Sequence, residues 1–137
     1  MAKRYWLIKS EPEAYSYDRL TEEGRTVWDG VRNYRARNNL RAMQVGDEAF
    51  YYHSVSEKQI VGIVRIVKAG MADPTDESGT WAAVEIEPVR KLARPVTLAE
   101  IKAEPTLEEI ELIRQSRLSV AEIRPDEWRK ICSMADT

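Results

Sequence analysis

The stretch Ile60-Val61-Gly62-Ile63-Val64-Arg65-Ile66-Val67 constrains the fold of this chain more than any other. Six of its eight residues are β-branched and apolar. Such side chains lose rotamer freedom in a helix and pack well on a pleated surface. Read as an extended segment from Gln59 to Lys68, it leaves few polar positions, so apolar side chains fall on both faces. A strand of this kind needs cover on both faces and belongs inside a layered domain.

Further elements follow from local chemistry. Tyr5-Trp6-Leu7-Ile8 is a buried strand bounded by Lys9-Ser10-Glu11-Pro12. Ser16 caps a short helix that runs through Glu23, and Gly24 ends it. Thr26-Val27-Trp28 is a second strand, closed by the Asp29-Gly30 turn. Asn33 caps a helix to about Met43, with Ala36, Leu40 and Met43 on one face. Glu48 to His53 and Trp81 to Val89 read as strands, and residues 72–79 as an acidic exposed loop. Thr97-Leu98-Ala99-Glu100 has capping-box spacing and opens a helix that Pro105 ends. Leu107 to Gln115 is predicted as another helix, Leu118-Ser119-Val120 as extended, and Pro125 as the opening of the last helix. Short strands without full crossover helices favour an α+β domain with a small mixed β-barrel flanked by helices over a doubly wound sheet.

The length of 137 residues suits one domain. A net charge of −2 excludes a generally basic coat for nucleic acid, so any such contact must be local. No stretch is apolar enough to span a bilayer. Met1-Ala2-Lys3-Arg4-Tyr5-Trp6 enters a strand pattern without a signal-peptide hydrophobic region. Cys132 is the only cysteine, so a cytoplasmic location is expected. With His53 the only histidine, zinc sites of the usual His/Cys kind cannot form within one chain. No phosphate-binding glycine loop or dinucleotide fingerprint is present. His53 adjoins Ser54, but strand neighbours point to opposite faces, which argues against proton transfer between them.

One segment stands out chemically. Trp28-Asp29-Gly30-Val31-Arg32-Asn33-Tyr34-Arg35-Ala36-Arg37-Asn38 combines flat π faces, amides and guanidiniums. These are the groups a nucleobase and its phosphate need. Trp28 ends a strand, where pockets form, while Trp6 and Trp128 read as core. Trp81 beside the acidic loop reads equally as pocket wall or core. Arg32, Arg35, Arg37 and Arg41 have no acidic neighbour between Val31 and Val45, so an anionic partner is expected for them. Asn33 fits a cap first, and Asn38 and Asn39 are costly inside a helix unless given a polar task.

Trp6-Leu7-Ile8-Lys9-Ser10-Glu11-Pro12, Trp28 to Tyr34 with Ala36-Arg37-Asn38, Gly46-Asp47, Tyr52-His53-Ser54, Ile60 to Ile63 and Arg117-Leu118-Ser119-Val120 occur in an order that resembles the EVE domain family. The resemblance covers nearly the whole chain. It implies a PUA-like barrel and a non-catalytic domain, with kinship to YTH readers of N6-methyladenine. It further implies binding of modified nucleobases, chiefly modified cytosines in DNA. By position, Lys9 and Ser10 would contact the base and Trp28 would wall the pocket. Asn33, Tyr34 and Asn38 would flank it, Tyr52, His53 and Ser54 would face them, and Arg117 and Ser119 would close it. Members often carry asparagine where this chain has Val55, which would remove one amide from the pocket rim.

The expected activity is therefore a reader, not an enzyme, that needs neither cofactor nor metal. A base would stack in a slot walled by Trp28 and Trp81, while Arg32, Arg35 and Arg37 hold phosphates. Nucleic acid is the expected partner, modified DNA before RNA, and the protein is expected to be monomeric. The alternatives are an RNA-binding PUA-like module and a binder of free nucleosides.

Overall fold

The computed structural model describes residues 3–136. Six strands make one mixed sheet: β1 (Tyr5–Ser10), β2 (Thr26–Trp28), β3 (Glu48–His53), β4 (Gln59–Ala72), β5 (Ala82–Thr97) and β6 (Val120–Ile123). The helices are α1 (Tyr17–Glu23), α2 (Tyr34–Ala42), α3 (Leu98–Ala103), α4 (Glu111–Arg114) and α5 (Pro125–Ala135). The strand order is β2-β5-β4-β3-β1-β6. All neighbours pair antiparallel except β1 and β3, which are parallel. The expected α+β class is what the chain adopts. Closure into a barrel is not among these pairings.

The apolar run occupies β4, between β3 and β5, and Ile60, Val61, Ile63, Val64 and Ile66 are buried there. Both β4 and β5 continue past the expected ends at Lys68 and Val89, to Ala72 and Thr97. Their pairing shifts register four times, between Ile60 and Gly62, Ile63 and Val64, Ile66 and Lys68, and Lys68 and Met71. Each shift breaks the two-residue alternation that marks a strand in sequence. The helix expected over Leu107–Gln115 is a 3-10 turn at Pro105–Leu107 followed by the single turn of α4. The extended piece expected at Leu118–Val120 is β6, which starts at Val120.

Caps fix the other boundaries. Ser16 accepts from the Arg19 N–H, and Gly24 adopts φ 82° at the α1 end. Asn33 accepts from the Ala36 N–H, and Thr97 and Glu100 form a capping box. On one side of the sheet α5 stacks Trp128 on Phe50 and Tyr5. On the other, Tyr17 of α1 lies against Gly62, where a Cβ would meet its ring at 2.5–2.8 Å. The buried Asp47 carboxylate accepts from Trp6 Nε1 and from the Arg4 and Gln44 N–H groups, which anchors the start of β3 to β1.

Candidate functional site

Parallel pairing brings the C-terminal ends of β1 and β3 side by side, with Lys9 opposite Tyr52 and Ser10 opposite His53. Alternation sends these pairs to opposite faces. On the face of Ser10 lies a cleft of about 430 Å³, lined by Ser10, Tyr15, Thr26, Val27, Trp28 and Asp29. Its size is that of small-molecule sites. The Trp28 ring meets Tyr51 edge-on, with centroids 5.6 Å apart. Tyr51 is itself fixed by its hydroxyl, which donates to the Tyr15 carbonyl at 2.7 Å. Trp28 is thus backed by a rigid aromatic support, and Asp29 adds a carboxylate acceptor.

His53 lies deeper. Its Nε2 accepts from the Tyr17 N–H at 3.1 Å, and its Nδ1 lies 2.7 Å from Glu57 Oε1. An Nε2 that accepts places the proton on Nδ1, so both ring nitrogens are used inside the protein. His53 ties β3 to α1 and to the β3–β4 loop. Ser54 joins the same tie through its N–H, which donates to the Ser10 carbonyl. Tyr52 is buried beneath Lys9, whose ammonium is 5.8 Å from the ring centre.

Lys9 is tied to the backbone of a second cleft. Its Nζ donates to the Ser116 carbonyl at 2.9 Å, and its N–H to the Ser119 carbonyl at 3.0 Å. Burial lowers its pKa from the ordinary lysine value. This cleft, of about 310 Å³, is lined by Asn33, Arg35, Arg114, Gln115, Ser116, Arg117 and Leu118. Arg117 is exposed and makes no hydrogen bond or ion pair among the described residues.

The remaining expected residues are placed elsewhere. Trp81 and Trp28 do not face each other across one slot. Trp81 lines a smaller cleft with Leu40, Arg41 and Met71, and stacks on Tyr34 with centroids 5.0 Å apart. Arg37 lies over Tyr34 and Arg32 over Trp81, so four flat groups form one surface cluster. Asn38 accepts from Arg37, and Asn39 donates to the Val120 carbonyl, tying α2 to β6.

The arginines are not without acidic neighbours in space. Arg32 Nη1 donates to Asp73 at 2.9 Å, and Arg35 pairs with Glu111. Arg37 and Arg41 both donate to the Thr80 carbonyl. Burial alone would raise the Asp73 pKa, but hydrogen bonds from Thr75, Arg32 and Gly30 outweigh it and hold it well below the usual range. Val55 does not line the Trp28 cleft, and its backbone is left-handed, with φ 67°. Tyr15, Arg114 and Gln115 escape a reading by motif, and Asp29 lies within one that gives it no role at the site. The one local signal is that Tyr15 follows the Glu11-Pro12 turn and Asp29 adjoins Trp28. Among the described residues no group of three His, Cys, Asp or Glu is placed to hold a metal ion, and no helix is long and apolar enough to cross a membrane.

An α+β domain with an aromatic cleft and a basic cleft at its strand ends agrees with the family motifs in order. The EVE domain matches residues 4–134, and the chain belongs to that family. Human thymocyte nuclear protein 1 is 33% identical over 166 residues, covering 96% of this chain and 74% of that protein. A Rhodopseudomonas palustris protein solved by NMR superposes with TM-score 0.93 at 45% identity, over 97% of this chain and 93% of that one. Human THYN1 protein in complex with 5-methylcytosine containing DNA superposes with TM-score 0.93 at 33% identity, over 98% of this chain and 99% of that one.

Proposed function

We propose that this chain is a non-catalytic, monomeric reader of a modified nucleobase, with 5-methylcytosine in DNA as its guest. The observation that carries the reading is the human relative in complex with 5-methylcytosine containing DNA, alike over 98% of this chain. The Trp28 cleft supports it. A base turned out of its stack would lie against Trp28, and stacking of this kind contributes roughly 1–3 kcal/mol. Asp29 supplies an acceptor for the exocyclic amine of cytosine, a group that thymine lacks. Ser10 offers both donor and acceptor to the base edge. Extrusion costs a few kcal/mol, so stacking and edge contacts must act together.

The test is binding of DNA duplexes that differ only in one methyl group, measured by fluorescence anisotropy. A buried methyl contributes about 0.8 kcal/mol, so the wild type should favour the methylated duplex by roughly fourfold. Trp28→Ala should weaken that complex by about 5–150-fold. Equal affinity of Trp28→Ala and wild type would sink the reading. RNA of equal sequence forms a further arm, and tighter binding there would reassign the cleft to RNA.

A further inference from the structure

We propose that the Arg35–Arg114–Arg117 cleft is a second ligand site, and that it takes a backbone phosphate of the nucleic acid whose base enters the Trp28 cleft. This rests on the base-reader reading and moves the phosphate grip away from the Arg32–Arg37 face of α2. On that face Arg32 is matched by the buried Asp73, and Arg37 is tied to Asn38 and Thr80. Arg32 and Arg37 each make three hydrogen bonds inside the protein, against one for Arg35 and two for Arg114.

The second cleft differs. Arg35 comes from α2, and Arg114 and Arg117 from the end of α4 and the turn after it. Arg35 Nη2 is held by Glu111, while Arg114 uses Nε on the Glu108 carbonyl and Nη2 on Glu109. A guanidinium carries five N–H donors, so both side chains are aimed by their glutamates and keep donors to spare. Arg117 keeps all of its own. Three guanidiniums against Glu109 and Glu111 leave a local positive field in a chain of net charge −2. Forked guanidiniums suit a phosphate better than a point charge does.

Placement links the two clefts. Ser10 lines the aromatic cleft, and its neighbour Lys9 bonds the carbonyl of Ser116, which lines the arginine cleft, on opposite faces of the same strand end. Consecutive Cα atoms are about 3.8 Å apart. A nucleic-acid strand with one base against Trp28 can pass the β1 end and lay a flanking phosphate among the arginines.

The experiment measures binding of the methylated and unmethylated duplexes against salt concentration, for wild type, Arg117→Gln and Trp28→Ala. Arg117 is exposed, so its replacement leaves the fold intact. Arg117→Gln should weaken both duplexes by the same factor and reduce the log–log salt slope by about 0.9. Trp28→Ala should lose the preference for methyl and keep the slope. A methylphosphonate placed at the phosphate flanking the methylated cytosine should lower wild-type affinity by a larger factor than that of Arg117→Gln. A wild-type slope in Arg117→Gln, with the Trp28→Ala loss intact, would overturn the phosphate site and leave the reader standing. No binding of either duplex by wild type would overturn both.

Discussion

Val55 is a β-branched residue in the left-handed region, at φ 67°, and is 64% exposed. Left-handed backbone costs an ordinary L-residue roughly 1–2 kcal/mol, and asparagine tolerates it by bonding locally. An asparagine would therefore have a backbone reason at this position. Val55→Asn should stabilise the protein by about 1 kcal/mol and raise the melting temperature by a few degrees. A thermal scan showing no gain would remove strain from the account. Gly62 presents the opposite case. A Cβ there would press into the Tyr17 ring, whose hydroxyl is fixed on the Ile63 carbonyl. Gly62→Ala should cost about 1–3 kcal/mol in urea denaturation, and less in a Tyr17→Leu background. Equal costs in the two backgrounds would place the strain elsewhere.

At the scale of the element, α2 shows how one residue can be read two ways. Asn33 borders the arginine cleft, yet its carboxamide oxygen already accepts from the Ala36 N–H at 2.9 Å. As a cap, Asn33→Ala should cost about 1 kcal/mol and Asn33→Ser almost nothing, with DNA affinity unchanged in the serine variant. A serine variant that folds normally but loses binding would make Asn33 a ligand contact instead. Local chemistry of this type was legible in the sequence. Ser16, Gly24, Asn33, Thr97 with Glu100, and Pro125 mark their helix ends because a cap bonds within three or four residues. The far halves of β4 and β5 were not legible. Their bulges interrupt alternation, and what keeps residues 69–72 extended is pairing with Ala82 and Ala83. Leu107, Ile110 and Ile113 have helical spacing, but the chain uses it in one 3-10 turn and one α turn. Trp28 was legible as a cleft residue by its place at a strand end. The separation of Trp81 from it was not, because the stacking partner Tyr34 lies 47 residues earlier.

Across the whole molecule, long-range pairs decide what local sequence leaves open. Arg32 and Arg35 lack acids nearby in the chain, yet Asp73 and Glu111 reach them from 41 and 76 residues away. Asp73 also accepts from the Gly30 N–H, so one buried carboxylate fastens the loop before Trp81 to the turn after Trp28. Its folded pKa is depressed, so its contribution is present above the ordinary aspartate value of about 3.9 and is lost as pH falls below it. Asp76, Glu100 and Glu104 are shifted in the same direction by their own hydrogen bonds. Asp73→Asn should lose about 2 kcal/mol at pH 7, and the gap to wild type should narrow near pH 3. A gap that stays constant with pH, measured by denaturant midpoints, would exclude the carboxylate charge as the cause.

The pairing of β1 bears on how the protein is made. Tyr5 aligns with Glu48 on one side and with Ile123 on the other, so β1 waits for β6, the last of the described strands. A ribosome adds about 5–20 residues per second, so β6 follows the end of β3 by roughly 4–14 s. During that interval the outer edge of β1 has exposed N–H and C=O groups beside Trp6, Leu7 and Ile8. An unpaired edge of this kind is a template for pairing with another chain. The strand that positions both clefts is thus a part of the nascent protein that needs shielding until β6 has been made.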